Sequence, residues 1–88
     1  LKICGNRVGL DEPERLLKSH LDFECACAGK DDAMQVFITE ASAVAEVKRF
    51  LVEKTRLNPT AFHVNYLEEI PKNEAGKTQY AALEPFYD

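Results

Sequence analysis

The residues best suited to chemistry stand in EIPKNEAGKTQY, residues 69–80, where Gly76-Lys77-Thr78 suggests a phosphate-cradling loop. Such a loop needs G-x-x-x-x-G-K-[ST], and the position five before Gly76 holds Pro71. Nor does a long helix follow Thr78 to offer its N-terminus to a phosphate. The P-loop reading is therefore rejected, and Lys77 has to be read on its own terms. Gly76 lets the backbone approach another molecule closely or take a geometry closed to other residues. Pro71 stiffens the way into the loop, while Tyr80 and Leu83 are positioned to anchor its exit to the core. A compact ammonium carried this way suits charge developing on a carboxylate or phosphate oxygen. The plainer reading is a solvated surface lysine, and it applies equally to Lys2, Lys30, Lys72 and Arg7.

Cysteine offers a second chemistry. Cys25 and Cys27 lie in FECACAG, whose alternation puts both on one side of a strand. With His20 or His63 they would make a metal or redox pair, but C-x-C with two distant histidines fits no common zinc spacing. Small residues buried in a strand is the preferred reading, and no metal site is assigned. Three cysteines, an odd number counting Cys4, do not make a disulfide framework and fit a reducing, cytoplasmic setting.

The bulk of the chain bounds its partners. Its 88 residues make one small domain, and 11 Lys+Arg against 15 Asp+Glu give a net charge of −4. That balance argues against nucleic acid or an anionic membrane as the main partner. No apolar run reaches the roughly 18 residues of a membrane span, and no signal-peptide pattern opens the sequence. Leu1 leads straight into strand-like sequence without a Met, which is read as a piece of a longer polypeptide.

The elements that must position these groups follow from the patterning. LKICGNRVGL reads as two short strands around Cys4-Gly5-Asn6. DEPERLLKSHL reads as a helix of about three turns closed near His20, with Asp11 as N-cap, Pro13 in the first turn, and Leu16, Leu17 and Leu21 along one side. FECACAG is a strand, KDDA a turn, and MQVFITE a strand with Met34, Val36 and Ile38 on one face and Phe37 on the other, implying cover on both sides. SAVAEVKRFLVEKTRL is the clearest helix, capped by Ser42, its stripe of Val44, Val47, Phe50 and Leu51 read as core. NPTA breaks it, FHVNYL is a strand, EEIPKNEAGKT a loop, and QYAALEPFY a short helix ended before Pro85. The predicted fold is α+β: a small mixed sheet plus a short N-terminal β-hairpin, packed with two main helices and a short C-terminal helix.

Two stretches together resemble a known family. Lys2-Ile3-Cys4-Gly5-Asn6-Arg7-Val8, followed by Leu10-Asp11-Glu12-Pro13-Glu14, is similar to K-I-x-G-x-R-[IV] and L-x-E-[IV]-E. Residues 68–77, EEIPKNEAGK, are similar to [DE]-x-[IL]-P-[KR]-x-x-x-G-K. Both patterns belong to the C-terminal lid domain of the adenylate-forming superfamily: acyl-CoA synthetases, nonribosomal-peptide adenylation domains and luciferases. They bracket nearly the whole chain in the family's order. The likeness is greatest to AMP-forming acid–thiol ligases of the acyl-CoA synthetase type. Pro13 departs from the aliphatic residue usual at that helix start. GKDDAM is shorter than the family's connection, which removes a surface where coenzyme or carrier contacts often lie.

The resemblance implies that residues 1–88 are a lid whose large N-terminal adenylation domain is a separate, absent part, leaving the fragment inactive alone. Such ligases activate a carboxylic acid with ATP and Mg²⁺, bound mainly by the large domain. They then pass the acyl group to the thiol of coenzyme A or of an acyl carrier protein's phosphopantetheine. Lys77 matches the lysine that enters the site for adenylation, with Pro71 and Gly76 supporting its loop. Gly5 matches the glycine beside the pantetheine tunnel, and Arg7 an arginine near the coenzyme's phosphates. The competing expectation is a free-standing α+β protein-binding module without catalysis, native at about this size and indifferent to ATP.

Overall fold

The computed structural model describes residues 2–3, 6–7, 9, 11–30 and 33–87, the side chains of 2–3 and 6–7 excepted. Five strands and two α-helices run in the order ββαββαβ. The chain is the expected α+β fold. β1 (Lys2–Ile3) and β2 (Asn6–Arg7) form an antiparallel two-stranded sheet with Lys2 opposite Arg7. Asn6 thus belongs to a strand rather than to the turn. Cys4 and Gly5, expected in that turn, lie outside the described residues.

The main sheet is built around β4 (Ala33–Ile38), the strand whose two faces are both apolar. β3 (Cys25–Lys30) pairs with it antiparallel, Cys27 opposite Val36, and β5 (Phe62–Tyr66) pairs parallel, Val36 opposite Val64. A parallel neighbour requires a crossover, which α2 (Val44–Thr55) supplies. Alternation then sorts the side chains. Cys25, Cys27, Met34, Val36 and Ile38 face α1 (Asp11–His20) and α2, meeting Leu17, Val47 and Leu51 in the larger core. Ala26, Ala28 and Phe37 face the other way, where Ile70 and Leu83 cover them. The cover expected on both sides of Phe37 is present, and on that second side residues beyond β5 provide it. Gln35 shares this face, 2% exposed, its Oε1 accepting from Asn65 Nδ2 at 3.0 Å.

Local departures from the expected elements have local causes. α1 already includes Asp11, which therefore sits in the first turn among Glu12 and Glu14, favourable there against the helix dipole, rather than capping from outside. Ser42 does not cap α2. A 3₁₀ turn, Ala41–Ala43, comes first, and Glu40 caps that turn by accepting from the Ser42 amide at 3.3 Å and its hydroxyl at 2.8 Å. Those bonds hold the exposed Glu40 carboxyl below its ordinary range. α2 ends on Arg56 in the left-handed region, φ 61°, its N–H donating to Val52 O. The last helix is 3₁₀, Tyr80–Phe86, and runs through Pro85 rather than stopping before it. The Ala82 and Tyr87 amides supply turn bonds on either side, to Gln79 and Glu84, so the N–H that proline lacks leaves a gap instead of a terminus.

β3 is an edge strand, and two of its outward amides are taken up by side chains. Cys27 N donates to Glu14 Oε2 at 2.9 Å, and Gly29 N donates to the Tyr87 hydroxyl at 3.2 Å. Covered edges of this kind discourage strand-to-strand aggregation. Among the described residues no helix is long and apolar enough to cross a membrane.

Candidate functional site

Lys77 is carried by a small β-hairpin rather than by an irregular loop. Lys72 and Thr78 form an antiparallel bridge, flanked by Gln79 N donating to Pro71 O and Asn73 N donating to Lys77 O, each at 2.9 Å. Pro71 ends this ladder, because its ring nitrogen cannot return the bond to Gln79. At the tip, Gly76 N donates to Asn73 O at 3.0 Å, and Gly76 takes φ +80°. A turn closed by a residue in the left-handed region is the three-residue hairpin geometry, and glycine adopts that region at least cost. A Cβ on Gly76 would meet nothing within 4 Å, so the requirement is one of backbone angle alone.

Asn73 organises the tip. Its Oδ1 accepts from Ala75 N at 2.9 Å and Lys77 N at 3.0 Å, while its own N–H donates to Lys77 O. Both backbone polar groups of Lys77 are therefore held by one residue. The side chain is exposed, and among the described residues no carboxylate pairs with its ammonium. The result is a fixed backbone presenting an unpaired cation. The sequence led to the anchored lysine, but not to the hydrogen-bonded clamp beneath it. An Asn three residues before a Gly was the available signal.

Each leg of the hairpin has its own anchor. Ile70 is buried beside Phe37 and Leu83 on the second face of the sheet. Leu83 is fully buried as expected; Tyr80 is not a core residue. The residue is 43% exposed, and its hydroxyl donates to the Glu14 carboxylate, 2.8 Å from Oε1 and 2.9 Å from Oε2. Glu14 also takes the Cys27 amide and, at 3.0 Å, the Lys18 ammonium one helical turn on, which raises the Lys18 pKa. Partial burial, reinforced by bonding to this carboxylate, pushes the Tyr80 phenol up to about 12. Nothing local in the sequence announces a contact between residues 14 and 80.

The neighbouring lysines behave differently from Lys77. Lys72 pairs with Glu24, so it is not simply solvated. It lines, with Lys18, Gly76 and Thr78, a cleft of about 280 Å³ beside the hairpin. Each of these two lysines is matched by a carboxylate, so the cleft carries no cationic excess. Gly5 lies outside the described residues, as does the side chain of Arg7, whose backbone is in β2. The structure thus brings Pro71, Gly76 and Lys77 together and leaves the Gly5 and Arg7 assignments to the resemblance.

Cys25 and Cys27 are buried in the larger core, as read. Burial, and then the negative Glu14, push the Cys25 thiol up to about 11 and Cys27 higher still. Thiols held protonated are poor nucleophiles and poor ligands. Among the described residues no group of three or more His, Cys, Asp or Glu is arranged to hold a metal ion. Chemically, this arrangement can deliver one positive charge to another molecule. No family model matches the chain, and no curated protein matches it.

Proposed function

We propose that this chain is the lid of an AMP-forming carboxylic acid–thiol ligase, and that Lys77 is its contribution to acyl-adenylate formation. The observation that carries the proposal is the Asn73 clamp: backbone fixed on both polar groups, ammonium exposed and unpaired. A cation spent on a local carboxylate would serve only the fold. One kept free on a fixed backbone is suited to a partner's oxygen atoms. In this reading a large N-terminal domain holds ATP, Mg²⁺ and the acid. Lys77 bridges the acid's carboxylate and a nucleotide oxygen, aligning attack and stabilising charge on the α-phosphate as pyrophosphate leaves. The lid then rotates, and the Gly5 face, with Arg7 toward the coenzyme's phosphates, meets the thiol of coenzyme A or a carrier protein. The setting proposed is the cytoplasm.

Separating the half-reactions tests this assignment. With synthetic acyl-adenylate and thiol supplied to the ligase, Lys77→Ala is expected to transfer the acyl group at close to the wild-type rate, because that step does not use the ammonium. Gly5→Leu is expected to do the reverse, blocking transfer and sparing adenylate formation. Equal loss of both half-reactions on removing Lys77 would count against a role confined to adenylation. A second reading, a protein-binding module, draws on the groove formed by Leu67, Pro71, Ala82 and Phe86, the last 54% exposed. It predicts that pyrophosphate release never depends on this chain.

A further inference from the structure

We infer that Tyr80 is a positioning residue for Lys77, acting through its hydrogen bond to Glu14; the inference rests on the adenylation role proposed above. Tyr80 stands three positions after Lys77, a reach of about 10 Å at most. The way into the hairpin is pinned by Ile70, which is buried. The way out has no buried side chain before Leu83, as Thr78 is only partly covered and residues 79–82 are exposed. The phenol–carboxylate bond is therefore the nearest long-range anchor on the lysine's exit side.

The acceptor is well prepared for this task. Glu14 is oriented by the edge-strand amide of Cys27, by Lys18 and by its own place on α1, so its carboxylate cannot swing freely. A hydroxyl bonded to an ionised, fixed acceptor forms one of the stronger hydrogen bonds available. Tyr80 as a whole is too exposed for burial to explain an aromatic here. Phenylalanine would replace whatever packing there is and remove the hydroxyl, with its long-range bond to Glu14 and a local one to Thr78 on the same hairpin leg. Loss of the tether loosens the hairpin, so that its internal bonds open more often and its tip sways relative to the sheet, and small displacements of a catalytic charge cost rate steeply.

Two measurements on Tyr80→Phe decide the matter. In this chain, amide hydrogen exchange followed by NMR should quicken about tenfold at Lys77 and Gln79, both hydrogen-bonded in the hairpin, with the β4 amides unchanged. In the complete ligase, Tyr80→Phe and Glu14→Gln should each lower kcat for adenylate formation about tenfold without changing KM for ATP. The double variant should be no worse than either alone, as expected for two ends of one interaction. Unchanged exchange at Lys77 would show that no tether exists, whatever the chain's function. Faster exchange with kcat unaltered would make the bond merely structural and overturn the inference. If adenylate formation ignored Lys77→Ala as well, the ligase reading would fail while the exchange result still reported on the tether.

Discussion

A single asparagine fixes where the Lys77 ammonium starts from, and a single glycine lets it be fixed there. These two residues contribute in different ways, and substitution separates them. Gly76→Ala adds a Cβ into open space but holds alanine at φ +80°, so it should destabilise by about 1–2 kcal/mol through backbone strain alone, read as a lower urea midpoint. Asn73→Ala removes the acceptor for two amides and should lower global stability by less, since both amides are at an exposed tip and water can replace it. Its effect should be local: faster exchange at Ala75 and Lys77. Asn73→Asp keeps the acceptor and should restore slow exchange. A large global loss from Asn73→Ala would mean that the hairpin supports the fold rather than the lysine.

At the scale of elements, one strand faces two cores, and the alternation of MQVFI made this visible without coordinates. Helices α1 and α2 were legible for the same reason, as apolar stripes of helical period. What escaped the reading depended on contacts distant in sequence or on choices between similar local bonds. Ser42 has the side chain expected of a helix cap, yet Glu40 accepts and Ser42 donates, a choice between similar local bonds. Tyr80 looked like a core aromatic because its partner Glu14 lies 66 positions away. Gly29 was not singled out, yet it has φ +127°, and a Cβ there would come within 2.4 Å of Ala33 O. Gly29→Ala should therefore distort the β3–β4 hairpin and destabilise by at least about 2 kcal/mol, measured by thermal or urea unfolding. A near-neutral outcome would require this hairpin to rearrange freely. Phe37→Ala, which empties the smaller core beneath Ile70 and Leu83, should cost about 3–5 kcal/mol.

Across the whole molecule, an acidic chain buries its two described thiols and presents Lys77, without an ion pair among the described residues, on a hydrogen-bonded tip. The thiols set an alkaline limit to stability. In the fold Cys25 titrates near 11, against 9.0 for an unburied thiol, so its neutral form is favoured by folding. That contribution is complete below pH 9 and is lost as pH rises toward 11, with Cys27 acting in the same sense. Tyr80 extends the loss from 10 to about 12. The urea midpoint should thus be level from pH 7 to about 8.5 and fall above 9, and Tyr80→Phe should flatten the part above 10. In a Cys4→Ser background a maleimide should label Cys25 and Cys27 only as fast as the chain unfolds. Rapid labelling at neutral pH would contradict their burial. The central claim, however, concerns the charge at position 77. Its most direct test is ATP–pyrophosphate exchange by the complete ligase proposed above with its carboxylic acid, comparing wild type with Lys77→Ala. The account predicts a loss of about 10²-fold or more with folding unchanged; exchange at the wild-type rate would contradict it.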